Sequence, residues 1–206
     1  MSVYPIIFQI SPPRSGSTAM LRCFEYIKFV DGRRFQIYHE PSVRPYELKT
    51  RWGLTYFLFN GRTPINTFKQ LEQELLEASK YSPVYVKDMA FSTFEWLSRS
   101  ALVTNPRVHF IFLVRDPYDQ LVSLSKQFRT MKVPLKLVEG VYDYEILERL
   151  IGHCRRLAFH RTLVIEAECL SVNPEEVVRR ILDQANLEVC NLDLTWPPKP
   201  HTFNGE

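Results

Sequence analysis

The sequence predicts an α/β fold: a three-layer sandwich around a central sheet of five parallel strands. Three observations predict it. Short runs rich in apolar residues lie at 6–10, 35–38, 84–86, 108–114 and 163–165, as expected of strands buried on both faces. Segments with apolar residues at helical spacing separate them, and such alternation gives a parallel sheet covered on both sides. The chain has 206 residues, 45% hydrophobic and 24% charged. That is enough for one domain with a sizeable core, and it argues against disorder, collagen-like repeats and coiled coil. Residues 1–206 are read as a single domain, with an irregular, proline-rich tail from about 195.

Each element has a local reason. The first strand, residues 6–10, lies between Pro5 and Pro12. A helix over 18–29 follows, with Met20, Leu21, Phe24 and Ile27 at helical spacing. The second strand, Phe35-Gln36-Ile37-Tyr38, ends at His39-Glu40-Pro41. Residues 42–61 are irregular and aromatic-rich. Thr63-Pro64 starts the next helix, with Thr as cap and Pro in the first turn. Ile65, Phe68, Leu71, Leu75 and Leu76 form its apolar stripe. Val84-Tyr85-Val86 is the third strand, ending at Lys87-Asp88, and 91–102 is helical. The strongest strand, 108–114, runs into Arg115-Asp116-Pro117, where Asp116 suits a cap and Pro117 a first turn. That helix carries Leu121, Val122 and Leu124. After a linker at 130–140, a helix from about 142 to 160 precedes the fifth strand, Leu163-Val164-Ile165. Asn173-Pro174-Glu175-Glu176 opens the last helix, whose apolar face is Val177, Val178, Ile181, Leu182 and Ala185.

Composition narrows the function. The 26 Lys and Arg against 23 Asp and Glu leave a formal charge of +3. The basic residues are not pooled in one tract, so no nucleic-acid partner is expected. Arg155, Arg156, His160 and Arg161 read as a solvated helix face. Cys23, Cys154, Cys169 and Cys190 form no C-x-x-C pair and no zinc-spaced cluster with histidine. No metal is expected, and the thiols read as mostly buried in a reducing compartment. The N-terminus has neither a basic n-region nor a long apolar h-region. No stretch approaches the ~18 apolar residues of a membrane span, so a soluble, cytoplasmic protein is expected. Glycine is scarce, with 7 against 14 prolines, which makes the place of each one informative. Gly16 stands just after the first strand.

In an open parallel sheet, ligands bind beyond the carboxyl ends of the strands. Polar clusters follow strands one, two, three and four. The loop Pro13-Arg14-Ser15-Gly16-Ser17-Thr18 leads into a helix N-terminus, where backbone N–H groups and the helix dipole favour an anion. Gly16 allows close approach of a phosphate, Ser17 and Thr18 offer hydroxyls, and Arg14 a planar cation. The plain alternative is a strand-to-helix turn with a Ser or Thr cap. A Walker A loop needs G-x-x-x-x-G-K-[ST]. Its first Gly and its Lys are missing here, which disfavours a Mg-ATP site of that type. Arg115 ends the fourth strand, and Ser123 lies two turns into the next helix, sharing a face with Asp119 or Gln120. Arg plus hydroxyl can clamp a terminal phosphate. A salt bridge from Arg115 to Asp116 or Asp119 is the plain alternative.

Both segments resemble motifs of the sulfotransferase family. Pro13-Arg14-Ser15-Gly16-Ser17-Thr18 is similar to its 5′-phosphosulfate loop, in the Golgi and tyrosylprotein form that carries Arg. Leu113-Val114-Arg115-Asp116-Pro117, with Ser123 eight positions after Arg115, is similar to its 3′-phosphate motif. Glu166 through Pro174 and the following helix resemble its late segment, and the likeness spans about residues 5–190. The resemblance implies a P-loop NTPase-like fold, 3′-phosphoadenylyl sulfate as donor, and sulfuryl transfer without a metal. The acceptor would be a hydroxyl or amine of a small molecule, carbohydrate or peptide. Donor contacts would come from Arg14, Ser15, Gly16, Ser17, Thr18, Arg115 and Ser123. Glu40 stands where tyrosylprotein-type members have their base. Lys87 resembles the Lys that stabilises charge on the transferring group, with Arg14 as a further electrostatic partner. His39 is the competing base, because the pKa of histidine suits neutral pH.

Other residues carry weaker signals. Asp88 reads as structural, a cap or a partner of Lys87. Trp52, Tyr56, Phe57 and Phe59 read as core or as an acceptor-facing wall. Ala19 stands where cytosolic members have an adenine-stacking Trp. The C-terminal Arg-Lys-Gly loop of the family is absent, with only Lys199 and His201 as substitutes. The rival readings are a small-molecule or nucleoside kinase of the same fold and an inactive nucleotide-binding module. The acceptor and the oligomeric state are not legible in the sequence.

Overall fold

Ile, Val and Phe crowd the strand runs, and β-branched and aromatic side chains suit a pleated surface. In a computed structural model, which describes residues 3–43, 45–46, 65–131, 144–192 and 194, these runs become β1 (Ile6–Ser11), β3 (Gln36–His39), β4 (Val84–Met89), β5 (Val108–Val114) and β6 (Thr162–Glu166). They form one five-stranded sheet in the order β3-β4-β1-β5-β6, with every neighbouring pair parallel. Central β1 is buried along its whole length.

The helices are α1 (Ser17–Tyr26), α2 (Phe68–Ala78), α3 (Ala90–Leu97), α4 (Pro117–Met131), α5 (Tyr144–Ala158), α6 (Ala167–Val172) and α7 (Pro174–Gln184). Alternation along β1 sorts them into two layers. Ile6, Phe8 and Ile10 pack with Leu71 and Leu75 of α2, Trp96 and Leu97 of α3, and Leu147 and Leu150 of α5. Ile7, on the opposite face, packs with Met20 and Phe24 of α1, Leu170 of α6, and Val178 and Ile181 of α7. Each large side chain buried in this way contributes about 1.5–3 kcal/mol.

Several boundaries differ from those the sequence predicts. Helix α2 begins at Phe68, capped by Thr67, rather than at Thr63-Pro64, which lies outside the described residues. Thr67 Oγ1 accepts from the Gln70 N–H at 3.2 Å, and Gln70 Oε1 accepts from the Thr67 N–H at 3.1 Å. This capping box satisfies two orphan donors at once. Strand β4 runs on through Lys87 and Asp88 because its ladder with β1 continues to Ser11. Helix α1 stops at Tyr26, since Lys28–Phe29 (β2) pairs antiparallel with Val189–Asn191 (β7), a two-stranded sheet that periodicity did not signal. Helix α3 stops at Leu97, and α4 extends to Met131.

Arg161 does not belong to a solvated face. It lies half-buried in a 3-10 turn (Phe159–Arg161), and its Nη1 donates to the Asn105 and Val108 carbonyls, each at 2.5 Å. It thus clamps the turn that feeds β5. Arg155 and Arg156 are exposed as expected. Cys23 and Cys154 are buried, and burial pushes their thiols up to about 11 and about 12; Cys169 is exposed. The aromatic segment with Trp52, Tyr56, Phe57 and Phe59, most of the 130–140 linker, and the tail with Lys199 and His201 lie outside the described residues. Among the described residues no helix is long and apolar enough to cross a membrane.

Candidate active site

The carboxyl edge of the sheet gathers two clusters. The first grows from β3 and β4. Glu40 directly follows β3 and has a left-handed backbone, φ 50°. Its N–H donates to the Lys87 carbonyl at 2.5 Å. Such a conformation costs a non-glycine residue about 1 kcal/mol or more and persists only where its surroundings fix it. Here its carboxylate is bonded to Lys87 Nζ, and His39 Nε2 lies 3.5 Å from the same Oε1. The Lys87 side chain is 1% exposed and that of Glu40 10%. Burial, and then the charge of Lys87, lower His39 to about 4, against the pull of Glu40. His39 is therefore neutral near pH 7.

Asp88 is neither an N-cap of α3 nor joined to Lys87. Its Oδ2 accepts from the Ser42 N–H at 3.0 Å and its Oδ1 from the Met89 N–H at 2.9 Å. Ser42 Oγ also donates to Ser92 Oγ at 2.8 Å. The buried carboxylate thus ties the turn after Glu40 to β4, while Ser92 ties it to α3. Burial raises Asp88 to about 7, although these hydrogen bonds oppose the shift. Asp88 stands out in the sequence, but its partner does not, because Ser42 lies 46 residues away.

The second cluster joins β1 to β5. The α1 N-cap is Gly16, at φ 83°, and no side chain caps the helix. That removes the plain Ser/Thr-cap reading and leaves a helix N-terminus of the kind that binds anions. Ser15 and Ser17 are buried, and Thr18 is half-buried. The Ser11 and Ser15 hydroxyls are buried without a hydrogen-bond partner. Arg14 is exposed, at φ 63°. Its Nε donates to Ser123 Oγ at 3.1 Å, and Arg115 Nη1 donates to the Arg14 carbonyl at 3.2 Å. Arg14 is therefore engaged with Ser123. Among the described residues Arg115 has no carboxylate partner, so a bridge to Asp116 or Asp119 is not formed. Asp116 instead caps α4, its Oδ1 accepting from the Tyr118 and Asp119 N–H groups at 2.9 and 3.1 Å.

A cleft of about 560 Å³ opens beside this cluster, with Gly16, Ala19, Arg115, Ala167, Leu170 and Pro174 among its lining residues. The α6 residues here had no signal beyond the likeness of the late segment. Among the described residues no group of His, Cys, Asp and Glu is arranged to hold a metal ion.

Solved structures of similar fold include two sulfotransferases. A sulfotransferase from Alicyclobacillus acidocaldarius matches with a TM-score of 0.55 at 13% identity, covering 96% of this chain and 88% of its own. The sulfotransferase domain of the Synechococcus PCC 7002 olefin synthase matches with a TM-score of 0.57 at 20% identity, covering 91% of this chain and 75% of its own. No family model matches the sequence, and no curated protein matches it significantly. Five parallel strands with helices on both faces, alike over nine-tenths of the chain, give it the fold of these two sulfotransferases.

Proposed function

We propose that the chain transfers a sulfuryl group from 3′-phosphoadenylyl sulfate to a hydroxyl or amine of a small-molecule, carbohydrate or peptide acceptor. The observation that carries this reading is the convergence of Arg14, Arg115 and Ser123 at the uncapped N-terminus of α1. Arg14 and Ser123 are 109 residues apart in sequence, yet they share a hydrogen bond beside the cleft. A donor with an anionic group at each end suits two such cationic sites. The fit extends to smaller details. The orphan Ser15 hydroxyl awaits an acceptor, and the left-handed Gly16 brings the backbone close without a side chain.

In this reading Arg14, Gly16, Ser17, Thr18 and the α1 N-terminus hold the 5′ end of the donor. Arg115 and Ser123 hold its 3′-phosphate. Ala19, Ala167, Leu170 and Pro174 give the nucleoside an apolar seat in place of an aromatic platform. When bound, the donor supplies the sulfuryl group: a bond forms from the acceptor oxygen or nitrogen to sulfur as the bond from sulfur to the 5′-phosphate oxygen breaks. Glu40 takes the acceptor proton. Lys87 orients that carboxylate and places a positive charge at the sheet edge. His39, lowered to about 4 by burial and by the charge of Lys87, is too weak a base near pH 7 to compete for that proton.

The test is calorimetric titration with 3′,5′-bisphosphoadenosine and, separately, Mg-ATP. Metal-independent binding of the bisphosphate is expected, with loss in Arg115→Ala but not in Arg155→Ala. Binding of Mg-ATP alone would overturn the reading in favour of a kinase. An acceptor screen with labelled donor then identifies the substrate. Normal turnover by Glu40→Gln on that substrate would remove Glu40 as the base.

A further inference from the structure

Gln120 is fully buried in the first turns of α4, and both ends of its amide are occupied. Nε2 donates to the Pro13 carbonyl at 2.6 Å. Oε1 accepts from the Tyr144 hydroxyl, also at 2.6 Å. The same hydroxyl lies 2.6 Å from the Arg115 carbonyl, so its single hydrogen is shared between these two acceptors. One amide and one phenol therefore connect the backbone just before Arg14 to the backbone of Arg115. The Arg115 Nη1 bond to the Arg14 carbonyl closes the ring on the exposed side.

An amide buried this deeply costs stability unless its partners are in place. A satisfied polar network, in turn, rigidifies what it joins. Here it joins the left-handed loop at Arg14 to the end of β5, with α5 supplying Tyr144. We propose that Gln120 and Tyr144 are positioning residues, a buried latch that couples the two phosphate sites so that both ends of one nucleotide bind cooperatively. The proposal rests on the donor reading above, and neither residue is placed among the donor ligands. A ligand with one phosphate can settle on its own loop without sensing the latch. A ligand that must satisfy both loops at once depends on their relative placement.

The test uses the full chain and three probes, 3′,5′-bisphosphoadenosine, 5′-AMP and 3′-AMP, titrated by calorimetry into wild type, Gln120→Met and Tyr144→Phe. Both substitutions nearly preserve shape. Bisphosphate affinity should fall about tenfold in each variant, while each monophosphate changes by less than about threefold. Equal weakening of all three probes would mean a general structural role and overturn the proposal. So would unchanged bisphosphate binding in a variant that melts cooperatively. If Gln120→Met fails to fold, Tyr144→Phe still decides, because it leaves the Gln120 bond to Pro13 intact. Failure of wild type to bind the bisphosphate at all would instead overturn the donor reading, and the latch with it.

Discussion

Removing the cation from the Glu40–Lys87 pair should be the costliest single change at the site. Lys87→Met keeps most of the aliphatic stem, so the packing loss is small. What remains is a carboxylate whose side chain is only 10% exposed, with neutral His39 at 3.5 Å from Oε1. Breaking a buried ion pair from one side costs about 3–5 kcal/mol. The residual exposure of Glu40 places this case at about 3 kcal/mol, or roughly 6–12 °C in a chain of this size. Lys87→Met combined with Glu40→Gln removes the stranded charge and should recover much of the loss, with a coupling of about 2 kcal/mol in the double-mutant cycle. Urea unfolding of the four proteins at pH 7.5 measures it, provided the m-value is unchanged. Additivity within about 0.5 kcal/mol would show that the pair is not energetically coupled and refute the reasoning.

Two further outcomes are expected. At Gly16, φ 83°, an added Cβ would meet only the Ala167 Cβ at 3.9 Å, an ordinary contact. Gly16→Ala should therefore cost only the backbone term, about 1 kcal/mol or 2–4 °C; a fall beyond roughly 10 °C in a melting scan would mean a clash the structure lacks. The second outcome concerns pH. Burial raises Asp88 from 3.8 to about 7, so its contribution to stability is full at low pH and is lost as pH rises through about 7. Burial lowers His39 and His109 from 6.5 to about 4, with His153 shifted in the same direction. The contribution of His39 and His109 is present above about 6.5 and is lost as pH falls through about 4. The two effects oppose each other in one window. Asp88→Asn removes one of them, and its melting temperature should climb more steeply between about pH 4.5 and 7 than that of wild type. Equal slopes would show that Asp88 does not titrate there.

Local patterns carried much of this protein. The apolar runs specified five strands because a strand buried on both faces must be apolar throughout. Asp116 and Asn173 announced their helices because capping is chemistry between near neighbours, and both cap as expected. Arg14, Gly16, Arg115 and Ser123 stood out as candidates because strand ends in a parallel sheet share one edge. The sequence did not reveal the strand order, which places β1 between β4 and β5. It did not reveal the β2–β7 pair, whose short strands carry almost no periodic signal. Nor did it show that Glu40 faces Lys87, that Arg14 reaches Ser123, or that Gln120 and Tyr144 bind Pro13 and Arg115 from beneath. Those contacts join segments 24 to 109 residues apart. Propensity and spacing encode what a residue does beside its near neighbours. Register and burial arise only when distant segments pack, so only the tertiary structure could decide them.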